Sequence, residues 1–278
     1  MKFHKVGIVA KPYLPARKVA RAITTYLIKQ GLSVYTDMLS KRNTPIHAEG
    51  VPSKIRDMKD IDFVISLGGD GTLLYISQNL QVDVPVFPVN MGSRGYLTEV
   101  TTSEIKEGIR KILKGDYYID ERTRLKVLVN EERIYDALNE LLLNSCPASK
   151  LLLTIKVDYD EINPGLIDSL IVSTTTGSTA HALSAGAPLI DPRLDVFVIV
   201  PVNPLSLSMR PVIVGATSKI EIQIQRGSRD VSCLTDGRLV KTVPPGTTIK
   251  VEKSERSFKI IRFKEIRFLS RAKEKLMK

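Results

Sequence analysis

Ile61-Asp-Phe-Val-Ile-Ser-Leu67 runs without a break into Gly68-Gly-Asp-Gly-Thr72 and then into Leu73-Leu-Tyr-Ile76. A compact apolar run of this length reads as a buried strand, and the apolar spacing after Thr72 reads as a helix. The glycines between them permit positive φ and let a ligand come close to the main chain, while the amides that open the helix point at an anion. Strand, glycine turn and helix are how open parallel sheets present ligands at the carboxyl ends of their strands. This stretch therefore sets the N-terminal part as an α/β domain. Three flanking glycines already make the turn and leave Asp70 no evident structural duty; a carboxylate there suits accepting a proton from a substrate hydroxyl. The plainer duty for such an Asp is to cap the helix that follows.

Upstream, Lys5–Ala10 reads as a strand, Ala16–Gln30 as a helix capped by Gly31, and Ser33–Thr36 as a second strand, which is a βαβ unit with parallel strands. Lys41–Val51 reads as a loop. Downstream, the strand Pro85–Val89 ends in a second glycine turn, Asn90-Met-Gly-Ser-Arg-Gly-Tyr-Leu97. Beyond Lys114 the texture changes to short alternating runs: Leu125–Val129, Ile134–Leu143, Leu151–Val157, Leu166–Val172, Asp195–Val200, Lys219–Gln225, Val231–Leu234 and Thr247–Val251. One helical interruption is expected near Ser178–Ala187. The chain thus divides into an α/β domain over residues 1–110 and a β-rich domain over 111–252, with the tail 253–278 packing back on the first.

A chain of 278 residues with 43% hydrophobic and 26% charged residues can bury a core and is neither disordered nor fibrous in composition. Its apolar runs fall well short of the roughly 18 residues of a membrane span, and the opening MKFHKVGIVAKP has no leader-like apolar core, so a cytoplasmic address is expected. Cys146 and Cys233 are far apart and read as buried apolar fillers. The net charge of +11 invites a nucleic-acid partner, but Lys253–Lys278 carry ten Lys and Arg against three Glu, a net of +7. Alternation through Phe258–Phe268 reads as a packed strand with a charged outer face. No nucleic-acid partner and no membrane are expected.

Two further segments carry candidate chemistry. Asn139-Glu140 sits inside an apolar stretch, where an amide can read a base edge and a carboxylate can accept from ribose hydroxyls, although the pair taken alone is better explained by the wet side of an edge strand. Ser173-Thr-Thr-Thr-Gly-Ser-Thr-Ala-His-Ala-Leu-Ser-Ala-Gly-Ala-Pro188 follows a strand containing Asp168, and its hydroxyls exceed what one helix cap requires. The GxxxxGK[ST] loop, the GxSxG elbow and the HExxH motif do not occur, and His4, His47 and His181 are too scattered for a metal site.

These segments, in this order, resemble the NAD kinase family: Gly68–Thr72, Asn90–Leu97, Asn139-Glu140, and Asp168 through Pro188. The resemblance spans about residues 5 to 265. It implies a two-domain fold with the active site between the domains, and an enzyme that phosphorylates the adenosine-ribose 2′-hydroxyl of NAD to give NADP. The donor would be ATP or polyphosphate, with a divalent metal ion such as Mg2+ carried on its phosphates, in a homodimer or homotetramer. The resemblance makes Asp70 the base and places Gly68, Gly69, Gly71 and Thr72 on the donor phosphates. Asn139 and Glu140 meet the adenosine half of NAD. Asp168 with Thr179, Ala180, His181, Ala182, Leu183 and Ser184 lines the adenine and nicotinamide ends, and Lys150 and Asn203 are further contacts. The chain departs from the family pattern in Thr174–His181, which replaces a proline and a tyrosine, in Ser169 for glycine and in Arg238 for glutamine. The choice between NAD and NADH is open at this point. A lipid or sugar kinase shares the Gly68–Thr72 loop and stays as the alternative; a basic nucleic-acid-binding protein is a more distant one.

Overall fold

The computed structural model describes residues 3–38, 51–92, 95–98, 100–145, 150–163, 165–206, 209–265 and 268–276. Most of the expected loop Lys41–Val51, and Cys146, lie outside the described residues. In chain order the elements that matter are β1 (Lys5–Ala10), α1 (Leu14–Lys29), β2 (Ser33–Met38), β3 (Val51–Pro52), β4 (Phe63–Gly68), α2 (Asp70–Asn79), β5 (Val86–Asn90), β6 (Val100–Thr101), α3 (Ile105–Lys114) and β7 (Tyr118–Arg122). There follow β8 (Leu125–Val129), β9 (Glu132–Ala137), β10 (Glu140–Ser145), β11 (Leu151–Val157), β12 (Asp160–Ile162), β13 (Leu166–Ile167), β14 (Ser169–Thr174) and α4 (His181–Ser184). The chain closes with β15 (Val196–Val202), β16 (Val212–Gly215), β17 (Ile220–Ile224), β18 (Val231–Thr235), β19 (Arg238–Val243), β20 (Thr248–Lys253), β21 (Phe258–Arg262) and α5 (Phe268–Leu276). It forms two compact units, Met1–Glu121 with Phe258–Lys278, and Arg122–Ser257.

The first unit is built on a sheet in the order β3-β2-β1-β4-β5-β21-β7, with β6 beside β5. β1, β4 and β5 pair in parallel and are buried almost throughout, as strands covered on both faces must be. The order progresses outward from β1 in one direction through β2 and in the other through β4. The reversal places the end of β4, Leu67-Gly68, at the topological switch point where open sheets bind ligands. Helix α1 buries Ala16, Ala20, Ile23, Thr24 and Leu27 at helical spacing, opens on a proline and is followed by Gly31 at φ +84°. α3 turns Ile105, Ile109 and Ile112 into the same core. The tail strand β21 pairs in parallel with β5, Ile260 opposite Val86. It differs from the expected half-exposed pattern: Arg262 is fully buried.

The second unit packs two antiparallel sheets, β16-β15-β14-β10-β18-β19 and β12-β11-β17-β20-β8-β9, around one apolar core. β8 and β11 alternate buried and less buried residues, whereas β14 and β15 are buried on both faces. Ala182, Ala187 and Ile190 from the segment after β14 cover Ile171, Val198 and Val200 and explain the difference. Cys233 is buried in the core, and burial pushes its thiol up to about 12, as expected of an apolar filler. Two runs that read as single strands are each broken in two: Ile134–Leu143 at Leu138-Asn139, and Leu166–Val172 at Asp168. Both breaks fall on candidate site residues.

Candidate active site

In the first unit the chain leaves β4 at Gly68 and enters α2 at Asp70. Gly68, Gly69 and Gly71 are not among the residues at positive φ, so the expected left-handed turn is not what they provide. A Cβ on Gly68 would lie 2.0 Å from the Thr72 hydroxyl oxygen, so this glycine makes room for the buried Thr72 side chain. A Cβ on Gly69 or Gly71 would meet nothing within 4 Å, which leaves the main chain open to an approaching group. Thr72 N–H donates to Gly69 O at 2.9 Å and closes the first turn of α2.

Asp70 has the structural duty that the sequence did not reveal. It accepts from the amides of Tyr96 at 2.7 Å and Leu97 at 3.1 Å, one on each carboxylate oxygen. It therefore ties the first glycine turn to the second. A Cβ on Gly95 would sit 2.0 Å from Asp70 Oδ1, so glycine is needed there for close approach, and Gly95 N–H donates to the Thr98 hydroxyl at 3.0 Å. Burial, and to a lesser degree the charge of Asp70, raise the Tyr96 phenol above its ordinary range. Ser93 and Arg94 of this second turn lie outside the described residues.

In the second unit Asn139 occupies the corner between β9 and β10. The carboxylate of Asp236 accepts from the amides of Leu138 at 2.9 Å, Asn139 at 2.7 Å and Glu140 at 3.2 Å. Asp236 (φ +48°) and Gly237 (φ +75°) form the Asp-Gly turn between β18 and β19, both residues left-handed as a tight hairpin demands. The Glu140 side chain is buried and its Oε2 has no hydrogen-bond partner among the described residues. Burial, with the neighbouring Asp236, pushes its carboxyl up to about 7. Burial likewise raises Asp236, against the pull of its three amides.

The hydroxyl-rich segment locks onto the same corner. Asn139 O accepts from Thr174 N–H at 2.9 Å and the Ser173 hydroxyl at 3.1 Å, and Leu138 O accepts from the Thr174 hydroxyl at 2.6 Å. Gly177 packs so tightly that an added Cβ would lie 2.2 Å from Asn139 O. The Ser178 hydroxyl donates to Thr175 O and the Thr179 hydroxyl to Thr176 O. Four hydroxyls expected to face an oxygen-rich ligand are thus engaged with the segment's own backbone carbonyls or those of the Leu138-Asn139 corner; the Thr176 hydroxyl is buried without a partner among the described residues. His181 opens the one-turn helix α4 and is exposed, Ala182 is buried, and Ala180, Leu183 and Ser184 are at least partly accessible.

A third grouping gathers Asp168, Lys150 and Asn203. Lys150 Nζ donates to Asp168 Oδ1 at 2.6 Å and Asn203 Nδ2 to Asp168 Oδ2 at 2.8 Å. These two bonds, Lys150 first, hold the Asp168 carboxyl below its usual range. Asn203 takes φ +48°, a strained position that Asn tolerates better than most residues. Sequence reasoning named all three separately without foreseeing that they touch. It missed the placement of Asp236, although an Asp-Gly between two apolar runs is a hairpin signal, and it missed Gly177 as the contact point of two motifs. Among the described residues no three His, Cys, Asp or Glu side chains gather as a metal site, and no helix is long and apolar enough to cross a membrane.

A family model described as the ATP-NAD kinase N-terminal domain matches residues 6–117, and one described as the ATP-NAD kinase C-terminal domain matches residues 138–263. The chain is 40% identical over 262 residues to the NAD kinase of Thermococcus gammatolerans, covering 93% of this chain and 94% of that protein. It is 32% identical over 276 residues to the NAD kinase of Methanothermobacter thermautotrophicus, covering 98% and 96%. Among solved structures it is similar to an NAD kinase from Archaeoglobus fulgidus in complex with ATP, with a TM-score of 0.76, 27% identity and 98% of each chain covered. The fold is also that of yeast NADH kinase complexed with NADH, with a TM-score of 0.86, 23% identity, and 100% of this chain and 88% of that one covered.

Proposed function

The chain belongs to the NAD kinase family and is a phosphotransferase acting on an alcohol group, and from that premise we propose that the alcohol is the 2′-hydroxyl of the adenosine ribose of NAD and that the product is NADP. The observation that carries this reading is Asp70, at the switch point of the parallel sheet, on a turn whose Gly69 and Gly71 are open to a ligand. Phosphoryl transfer asks a protein for positioning and charge stabilisation rather than covalent chemistry, and one base with a glycine cradle supplies that. Asp70 takes the hydroxyl proton as the ribose oxygen attacks the terminal phosphorus of the donor, whose bond to the bridging oxygen breaks so that ADP leaves when ATP is the donor. Gly68, Gly69, Gly71 and Thr72 hold the donor phosphates, Gly69 and Gly71 through their open main chain. ATP is the donor in this reading, with polyphosphate as a second candidate.

Asn139 and Glu140 hold the adenosine half of NAD. The unpartnered Oε2 of Glu140 supports this, since a buried carboxylate oxygen without a donor is completed by a ribose hydroxyl. Asp168, oriented by Lys150 and Asn203, and Thr179 to Ser184 line the remaining dinucleotide. A divalent ion would travel with the donor phosphates, where it spreads their charge. Work in the cytoplasm as a homodimer or homotetramer completes the reading. Incubation of the purified protein with NAD, ATP and magnesium tests it, with NADP followed by a coupled dehydrogenase. NADP is the expected product; none with any donor, polyphosphate included, overturns the proposal.

A further inference from the structure

Arg262 is the largest side chain that the fold buries completely, and it stands on a strand whose neighbours Ile260 and Ile261 are apolar and buried. A guanidinium enclosed in this way is costly to hold unless its donors are matched. Arg262 Nε donates to Asp120 Oδ2 at 3.1 Å, and Nη1 donates to the carbonyl of Leu97 at 2.7 Å. Leu97 is the same residue whose amide donates to Asp70 Oδ1, and the preceding amide, Tyr96, donates to Oδ2. A short chain of contacts thus runs from Asp120 through Arg262 and Leu97 to Asp70, all inside the first unit. β21 cannot drift, because it lies in the sheet beside β5 and Lys259 pairs with Asp83 at 2.5 Å. Tyr96 and Leu97, by contrast, lie in irregular chain, where the side chains of Asp70 and Arg262 bond their main-chain groups.

We propose that Arg262, seated by Asp120, is a positioning residue for phosphoryl transfer: it grips the Leu97 carbonyl and so aims the Tyr96 and Leu97 amides that orient the Asp70 carboxylate. A guanidinium suits the task because its planar fork offers donors in two directions at once, whereas a lysine ammonium would reach one acceptor or the other. The role explains why an arginine is buried next to Ile260 and Ile261 at the end of this strand. It rests on the reading of Asp70 as the base.

The test is a double-mutant cycle on the full-length enzyme, with Arg262→Met, Asp70→Asn and the pair, followed by single-turnover transfer of labelled phosphate from ATP to NAD. Misplacing a reacting group by about an ångström slows the chemical step roughly 10- to 100-fold. Arg262→Met is therefore expected to lower kcat on that scale with the KM for NAD changed less than about twofold. In the Asp70→Asn background it should cost nothing further, and Arg262→Lys should recover part of the loss. An unchanged kcat in folded Arg262→Met, or an equal loss with and without Asp70, overturns the proposal. If Asp70→Asn alone keeps full turnover, the reading of Asp70 itself is what fails. Should Arg262→Met not fold, as judged by its melting transition, Asp120→Asn takes its place in the same cycle with the same expectations. Full activity there contradicts the relay.

Discussion

Asp70 and Glu140 are both acidic side chains at breaks in regular structure, and the two units treat them in opposite ways. Asp70 follows a parallel strand, is half-buried, and has each oxygen engaged by a main-chain amide. Glu140 opens an antiparallel strand, is buried, and keeps one oxygen without a partner among the described residues, beside the half-buried carboxylate of Asp236. The first arrangement fixes direction, as a group that must meet a proton at one point requires. The second leaves a polar atom to be completed from outside, as a binding contact requires. On the proposed reading, environment more than residue type separates a catalytic carboxylate from a recognising one.

The sharpest way to break that contrast is to neutralise each acid in turn. Asp70→Asn should lose on the order of 10²-fold or more in single-turnover rate while still binding NAD. Glu140→Gln should act mainly on the KM for NAD. A larger kcat loss at Glu140 than at Asp70 would exchange the two roles. Glycines offer a second contrast. Gly177→Ala drives a Cβ to 2.2 Å from Asn139 O and should cost roughly 3 kcal/mol, read from denaturant melts, because backbone has to move. Gly71→Ala meets nothing within 4 Å. It should leave stability within about 1 kcal/mol of the parent or raise it, while obstructing the donor and lowering turnover. Equal stabilities for the two variants would refute the packing account.

Next in size is a pH effect. The carboxyl of Glu140 is raised in the fold from 4.5 to about 7, so folding binds its proton more tightly than the unfolded chain does. Its stabilising contribution is complete below about pH 4.5 and is lost as pH rises to about 7. Glu140→Gln should therefore match the parent near pH 4.5 and exceed its stability above pH 7 by on the order of 2–3 kcal/mol. A difference that stays flat from pH 4.5 to 8.5 would show that Glu140 is not buried as described. Over the same window, the KM for NAD should rise as pH falls below about 7, because a protonated carboxyl loses acceptor capacity. The smallest effect is at the exposed trio. Lys150→Met removes a solvent-accessible ion pair and should change stability by less than about 1 kcal/mol. Its effect should fall instead on NAD binding, measured by titration calorimetry. A large shift in melting temperature would make Lys150 a structural residue.

What the residues disclosed without coordinates was local. Ile61–Thr72 spelled strand, glycine turn and helix because each part depends only on its neighbours, and the alternating runs after Lys114 spelled a β-rich domain for the same reason. Interruptions were harder. Ile134–Leu143 and Leu166–Val172 look continuous because Leu138 and Ile167 are apolar, yet the chain turns at Asn139 and Asp168, where side chains from elsewhere hold it. The group that holds Asn139 is Asp236, 97 residues away, and nothing in either segment announces the other. Arg262 misled in the opposite direction. In a basic alternating tail it reads as a solvated face, and only the positions of Leu97 and Asp120 make it a buried donor.

The most direct measurement is a crystal structure of the enzyme with NAD and a non-transferable ATP analogue. The ribose 2′-oxygen is expected within hydrogen-bond distance of Asp70, roughly 2.6–3.2 Å, on the carboxylate edge left by the Tyr96 and Leu97 amides, with the terminal phosphate over Gly69 and Gly71. A carboxylate that stays on its two amides while the ribose hydroxyl points to another residue would contradict it.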